Sequence, residues 1–166
     1  MDENFKQRLK KIKAFVFDID GVLTDGKITV HSDNTTSRTL NAKDGFALQR
    51  AIQEGFTVAI ISAAKDNILK ERFLAIGLQE VYLGATDKEE TFKEFSAVYQ
   101  LEEEQILFMG DDLPDLLAMR RSGAPCCPYD AAHEIREISV YISPLKAGEG
   151  CVRDVIEQVL RLNGKW

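Results

Sequence analysis

Short, mostly apolar runs alternate along this chain with longer stretches whose apolar residues recur every three to four positions. The runs Ala14–Phe17, Thr57–Ile61, Glu80–Leu83, Ile106–Met109, Ala124–Cys127 and Val140–Ile142 predict strands, most of them continuous enough to be buried on both faces. Between them, amphipathic periodicity predicts helices near Gly45–Glu54, Asn67–Ile76, Lys88–Tyr99, Pro114–Ser122 and Ala131–Ile138. A last helix, Cys151–Leu162, places Val152, Val155, Ile156, Val159 and Leu160 on one face. Met1–Lys11 reads as a charged, helical lead-in, and Gly55, Gly77 and Gly123 predict left-handed helix stops. Strand–helix alternation of this kind is the mark of an α/β fold: a Rossmann-like three-layer α/β/α sandwich around a mostly parallel sheet.

One segment breaks the alternation. After Gly26, the β-prone runs Lys27–His31 and Ser37–Leu40 flank Ser32-Asp33-Asn34, which predicts a β-hairpin insertion over about residues 27–40, after the first strand. A lone hairpin is marginal in water, so this one is expected to pack on something, a second subunit included.

Composition narrows the class. A chain of 166 residues with 45% hydrophobic content suits a single domain spanning 1–166. A formal charge of −6 argues against nucleic acid or an anionic membrane as the main partner. No apolar run approaches the roughly 20 residues of a membrane span, and Met1–Lys11 lacks the apolar core of a signal peptide. Cys126, Cys127 and Cys151 cannot all pair, and the adjacent two suit a buried strand, which predicts a reducing, cytoplasmic setting.

The candidate chemistry sits where strands end. Asp18 and Asp20 follow Ala14–Phe17, Ser62 follows Thr57–Ile61, and Gly110-Asp111-Asp112-Leu113-Pro114-Asp115 follows Ile106–Met109. Two close carboxylates repel unless a cation or a shared proton intervenes, and Mg²⁺ favours carboxylate oxygen. An aspartate can attack phosphorus while a second one protonates the leaving group and later deprotonates water. Asp111 would complete a cation site, with Asp112 and Asp115 as further ligands or hydrogen-bonding support; helix capping before Pro114 also accounts for these acids. Ser62 and Lys88, each ordinary by itself, could hold phosphoryl oxygens. His31 and His133 are not spaced as zinc ligands, and neither a Gly-x-Gly-x-x-Gly nor a Gly-x-x-x-x-Gly-Lys-Ser/Thr loop is present. Ala147-Gly148-Glu149-Gly150, before the last helix, reads as a flexible turn, with backbone N–H groups brought to an anion as the alternative.

Taken in order, Asp18-Ile-Asp-Gly-Val-Leu-Thr-Asp-Gly26, Ser62, Lys88 and Gly110-Asp-Asp-x-x-Asp115 resemble the four motifs of the haloacid dehalogenase superfamily of phosphatases. The resemblance implies Asp18 as nucleophile, Asp20 as general acid/base, and a Mg²⁺ held by Asp18, the Asp20 carbonyl and Asp111, with Ser62 and Lys88 on the phosphoryl group. The stretches between motifs hold only the hairpin, helices and strands, so the fold is expected to be capless, with its site closed by ligand or by a neighbouring subunit. The hairpin, Asp44-Gly45 and Ala147-Gly-Glu-Gly-Cys-Val-Arg-Asp154 are similar to the homotetrameric phosphatases of 3-deoxy-D-manno-octulosonate 8-phosphate, which implies a phosphorylated sugar acid as partner. A nine-carbon sugar acid 9-phosphate, or a non-catalytic oligomerisation role, are the alternatives. The subfamily's Thr-Gly-Arg is Ser62-Ala63-Ala64 here, so a cation expected beside the sugar acid is absent. Lys65, Arg72, Arg38 or a neighbouring subunit's basic group are the candidate replacements, with Asp44 and Gly45 as further substrate contacts.

Overall fold

The computed structural model describes residues 4–166, so the first three residues of the expected lead-in helix lie outside them. The elements are α1 (Phe5–Lys11), β1 (Ala14–Phe17), β2 (Thr29–Val30), β3 (Thr36–Ser37), α2 (Ala42–Gln53), β4 (Thr57–Ile61), α3 (Asn67–Ala75), β5 (Glu80–Tyr82), α4 (Lys88–Val98), β6 (Ile106–Met109), α5 (Leu116–Arg121), β7 (Ala124–Cys127), α6 (His133–Ile138), β8 (Tyr141–Ile142) and α7 (Cys151–Leu162). The main sheet is wholly parallel, in the order β5-β4-β1-β6-β7-β8.

The apolar runs explain the layers. Every residue of β1, β6 and β7 is buried, because helices cover both faces of the sheet. One face packs Phe15, Phe17, Val58, Ile60 and Met109 against α1, α2, α3 and α7; the other packs Val16, Ile61 and Phe108 against Phe92 and Phe95 of α4, Met119 of α5 and Ile135 of α6. Each large apolar side chain so buried contributes roughly 1.5–3 kcal/mol relative to exposure. This is the three-layer architecture the pattern predicts. The three cysteines are free and buried within it.

Boundaries differ where capping or pairing decides them. Helix α2 starts at Ala42 rather than near Gly45, since the Asn41 side chain accepts from the Lys43 amide at 2.9 Å. The Pro114 stretch opens as one tight turn, Leu113–Asp115, before α5. Strands β2 and β3 pair over only Thr29–Ser37 and Val30–Thr36, because these exposed residues have no face to bury within the chain. Gly55 and Gly77 take the expected left-handed conformation, whereas Gly123 does not. There the glycine is needed for close approach, as a Cβ would overlap the Glu104 carbonyl.

Candidate active site

The chain runs β1, β4, β5 in one direction from the centre of the sheet and then returns to β6, β7, β8 on the other side. The carboxyl end of β1, between β4 and β6, is therefore the point where strand order reverses and where open parallel sheets bind ligands. Asp18, Ser62 and Asp111 follow these three neighbouring strands. Lys88 reaches the same place from the first turn of α4, capped by Asp87. An ammonium at a helix N-terminus opposes the helix dipole, so nothing in α4 itself favours a lysine there.

Beyond Asp18 the chain makes a wide turn closed by the Thr24 amide on the Ile19 carbonyl at 3.0 Å, with Gly21 at φ +89°. A Cβ at Gly21 would overlap the Asp111 carboxylate, and one at Gly110 would overlap Asp115. Both glycines let acids approach one another. Oxygens of Asp18, Asp111 and Asp115 lie within 4.8 Å of each other. Lys88 Nζ sits 2.6 Å from Asp115 Oδ1 and 3.1 Å from Asp18 Oδ1, with all three side chains buried. Asp115 Oδ2 accepts from the Asp111 amide at 3.0 Å and the Asp112 amide at 3.4 Å. Both Asp115 oxygens are thus committed to the lysine and the loop backbone.

Asp18 is different. Its Oδ1 is buried and has no aligned hydrogen-bond donor; the lysine is near enough for an ion pair only. Burial, reinforced by the Asp115 charge and opposed by Lys88, raises the Asp18 carboxyl to about 6. Burial followed by the charges of Asp18, Asp115 and Asp112 raises Asp111 to about 8. Burial alone would lower Lys88, yet Asp18 and Asp115 hold its ammonium above the ordinary value. The cluster has more negative than positive charge out of water. Carboxylate oxygens gathered within 4.8 Å beside Gly21 and Gly110 fit a hard divalent cation such as Mg²⁺, and Asp18 with Asp111 would hold it.

Asp20 has a different set of partners. Arg38, at the foot of β3, clamps it with Nε–Oδ1 at 2.7 Å and Nη2–Oδ2 at 3.1 Å, and Thr24 Oγ1 donates to it at 3.3 Å. Ser62 is buried; its Oγ accepts from the Ala64 amide at 3.3 Å.

No protein-family model matches the chain. A 3-deoxy-D-manno-octulosonate 8-phosphate phosphatase of Yersinia pestis is 30% identical over 159 residues, covering 96% of this chain and 85% of the relative. The chain belongs to this phosphatase family, within the haloacid dehalogenase superfamily. It is an enzyme of the phosphoric monoester hydrolase class. Two solved structures agree with the family. A probable YrbI-family phosphatase of Pseudomonas syringae is 38% identical with a TM-score of 0.94, covering 97% of this chain and 92% of that one. A 3-deoxy-D-manno-octulosonate 8-phosphate phosphatase of Moraxella catarrhalis, in complex with magnesium, phosphate and the free sugar acid, is 32% identical with a TM-score of 0.92, covering 95% and 91%.

Against the phosphatase motifs, the fold brings Asp18, Asp111, Asp115 and Lys88 into one cluster, with Asp20 and Ser62 on the flanking loops. Asp112 is exposed and accepts from the Leu113 amide at 2.8 Å, which is its capping role. The substrate candidates scatter. Asp44 is fully buried, and its Oδ1 accepts from the Arg153 amide at 2.8 Å, so it does not face an open cleft. Gly45 and Arg72 line a 410 Å³ cavity with Leu40 and Phe46. Lys65 lines another, of 470 Å³, with Arg38, Asp66 and Ile68. A larger cavity of 740 Å³ opens at the opposite end of the sheet, around Phe56, and holds none of these carboxylates. Sequence reasoning placed Arg38 only as a possible substrate cation and gave Thr24 no role. Their partnership with Asp20 depends on where the hairpin folds, and no local signal carries that.

Proposed function

We propose that this protein is a Mg²⁺-dependent phosphatase of a sugar-acid phosphate, with 3-deoxy-D-manno-octulosonate 8-phosphate as substrate. The free eight-carbon acid would serve bacterial cell-surface polysaccharide synthesis, in a cytoplasm whose reducing conditions suit three free cysteines. The observation that carries this reading is the cluster of Asp18, Asp111 and Asp115 carboxylates, with oxygens within 4.8 Å of one another, at the strand-order reversal. The Moraxella relative's complex supplies the matching ligand chemistry.

Asp18 attacks phosphorus, the bond to the sugar oxygen breaks, and an aspartyl phosphate forms on Asp18. Asp20 gives a proton to the departing alkoxide. Asp20 then takes a proton from water, which attacks phosphorus, returning the Asp18 carboxylate and releasing phosphate. The Lys88 ammonium and the Ser62 hydroxyl hold phosphoryl oxygens through both steps. Asp18, Asp111 and the Asp20 carbonyl would hold Mg²⁺, which would supply positive charge to offset that of the phosphoryl group. Phosphate-monoester hydrolysis needs up to ~10²¹-fold acceleration, so nucleophile, cation and clamps must act together.

A nine-carbon substrate is the second reading, favoured by Ala64, which leaves no guanidinium beside Ser62. The deciding experiment assays phosphate release from eight- and nine-carbon sugar-acid phosphates, with Mg²⁺ and with EDTA. Wild type should prefer the eight-carbon compound by kcat/KM and lose activity in EDTA. Asp18→Asn should lose at least about a thousandfold in kcat while keeping its thermal transition. Undiminished turnover by Asp18→Asn would remove the assigned nucleophile, and no turnover by wild type on any phosphate would favour a non-catalytic assembly role.

A further inference from the structure

Arg38 lies on the hairpin, 18 positions from Asp20 in sequence, yet its side chain is only 8% exposed. Its guanidinium is held from two sides. Towards the active site it makes two parallel bonds to the Asp20 carboxylate, at 2.7 and 3.1 Å. Away from it, Nη1 lies 3.6 Å from Asp66 Oδ2 and 3.4 Å from the Thr36 hydroxyl. Asp66 is itself fixed, because its Oδ1 caps α3 by accepting from the Ile68 amide at 3.0 Å and the Leu69 amide at 3.4 Å. A rigid line of contacts therefore runs from the start of α3, through Asp66 and Arg38, to Asp20.

A two-pronged guanidinium–carboxylate pair fixes the plane and rotation of the carboxylate as well as its distance. Apart from Arg38, Asp20 accepts one side-chain hydrogen bond among the described residues, the 3.3 Å contact from Thr24. That single long contact leaves the carboxylate free to turn. A catalytic group displaced by about 1 Å can cost on the order of a hundredfold in rate, so the clamp bears directly on the chemistry.

We propose that Arg38 is the positioning residue of the acid/base Asp20, tying the hairpin and the start of α3 to protonation of the leaving group. The inference rests on the assignment of Asp20 as acid/base made above. Arg38 touches neither the phosphoryl cluster nor Lys88; it acts through Asp20. This also removes Arg38 from the candidate replacements for the cation missing at position 64.

Leaving groups separate this role from a structural one. A sugar alkoxide needs a proton as it departs, whereas p-nitrophenolate leaves without one, and kcat/KM reports the step that releases either. With Mg²⁺ present, Arg38→Met should lower kcat/KM for 3-deoxy-D-manno-octulosonate 8-phosphate by at least about tenfold, part of what a general acid supplies. For p-nitrophenyl phosphate the value should stay within about threefold of wild type. Asp66→Asn keeps the helix cap but loses the charge facing Arg38, so it should show the same selective loss at smaller size. Arg38→Lys should recover part of the sugar-phosphate activity. Asp20→Asn should show the selective loss in full, and adding Arg38→Met to it should deepen that loss no further. An equal fall on both substrates, or no fall on either, would overturn the proposal. If Asp20→Asn lacks the leaving-group split, the acid/base assignment itself fails and takes the proposal with it.

Discussion

Lys88 is the residue on which the cluster's charge balance turns. Its ammonium is the one cation within ion-pair distance of Asp18 and Asp115 among the described residues, at 3.1 and 2.6 Å. Removing one member of a buried ion pair costs about 3–5 kcal/mol, because the charge left behind has no water to solvate it. Lys88→Met should lower unfolding stability by about that amount in metal-free urea titrations at neutral pH, and should abolish phosphatase activity at all Mg²⁺ concentrations. A stability near wild type would mean that the carboxylates shed their charge instead. Lys88 was legible in the sequence only through its order among other motifs. A lysine at a helix start carries no signal of its own, and its burial comes from the approach of β1 and the Asp115 loop.

At the scale of elements, helix α7 is preceded by Gly150, which has no side chain to cap the first-turn amides. Asp44 of α2 performs that task from a neighbouring helix, accepting from the Arg153 amide at 2.8 Å, while its Oδ2 is buried without a partner. Burial raises the Asp44 carboxyl to about 6, with the Arg153 amide and guanidinium opposing. A folded value above the ordinary 3.8 means that the folded state binds the proton more tightly than the unfolded chain. The stabilisation from this group is complete below about 3.8 and is lost as pH rises through about 6. Asp44→Asn, whose amide oxygen can accept the same bond, should flatten the fall in stability between those pH values. Well above pH 6 it should be more stable than wild type by on the order of 3 kcal/mol, as read from thermal unfolding across a pH series. Asp44 illustrates a residue whose type and place beside Gly45 suggested substrate contact. Only the packing of α2 on α7 shows that it caps a helix.

Across the whole molecule, the sheet order puts three motif-bearing strand ends side by side, and the hairpin stands off this edge with Ile28 46% and Val30 71% exposed. Apolar side chains on a two-stranded ribbon that covers no core are best satisfied by other copies of the same ribbon. We propose that the chain, folded as one domain, assembles as a homotetramer through its hairpins. Light scattering should give four times the chain mass, and Val30→Asp should shift it to smaller species. A monomeric wild type at working concentration would refute the assembly. Within the chain, the Trp166 ring meets Phe46 edge-on at 6.3 Å, and the Arg153 guanidinium lies over both rings.

Strand and helix identities and the acidic motifs were determined by the sequence itself, because apolar continuity reports burial on two faces and helical spacing reports burial on one. Those patterns are local, and local patterns survive without knowledge of the fold. What belonged to tertiary structure was every pairing between distant segments: Lys88 with Asp115, Arg38 with Asp20, Asp44 with the first turn of α7. Each joins charges or dipoles far apart in the chain, and their strength depends on a shared dry environment that exists only once the sheet has ordered its strands.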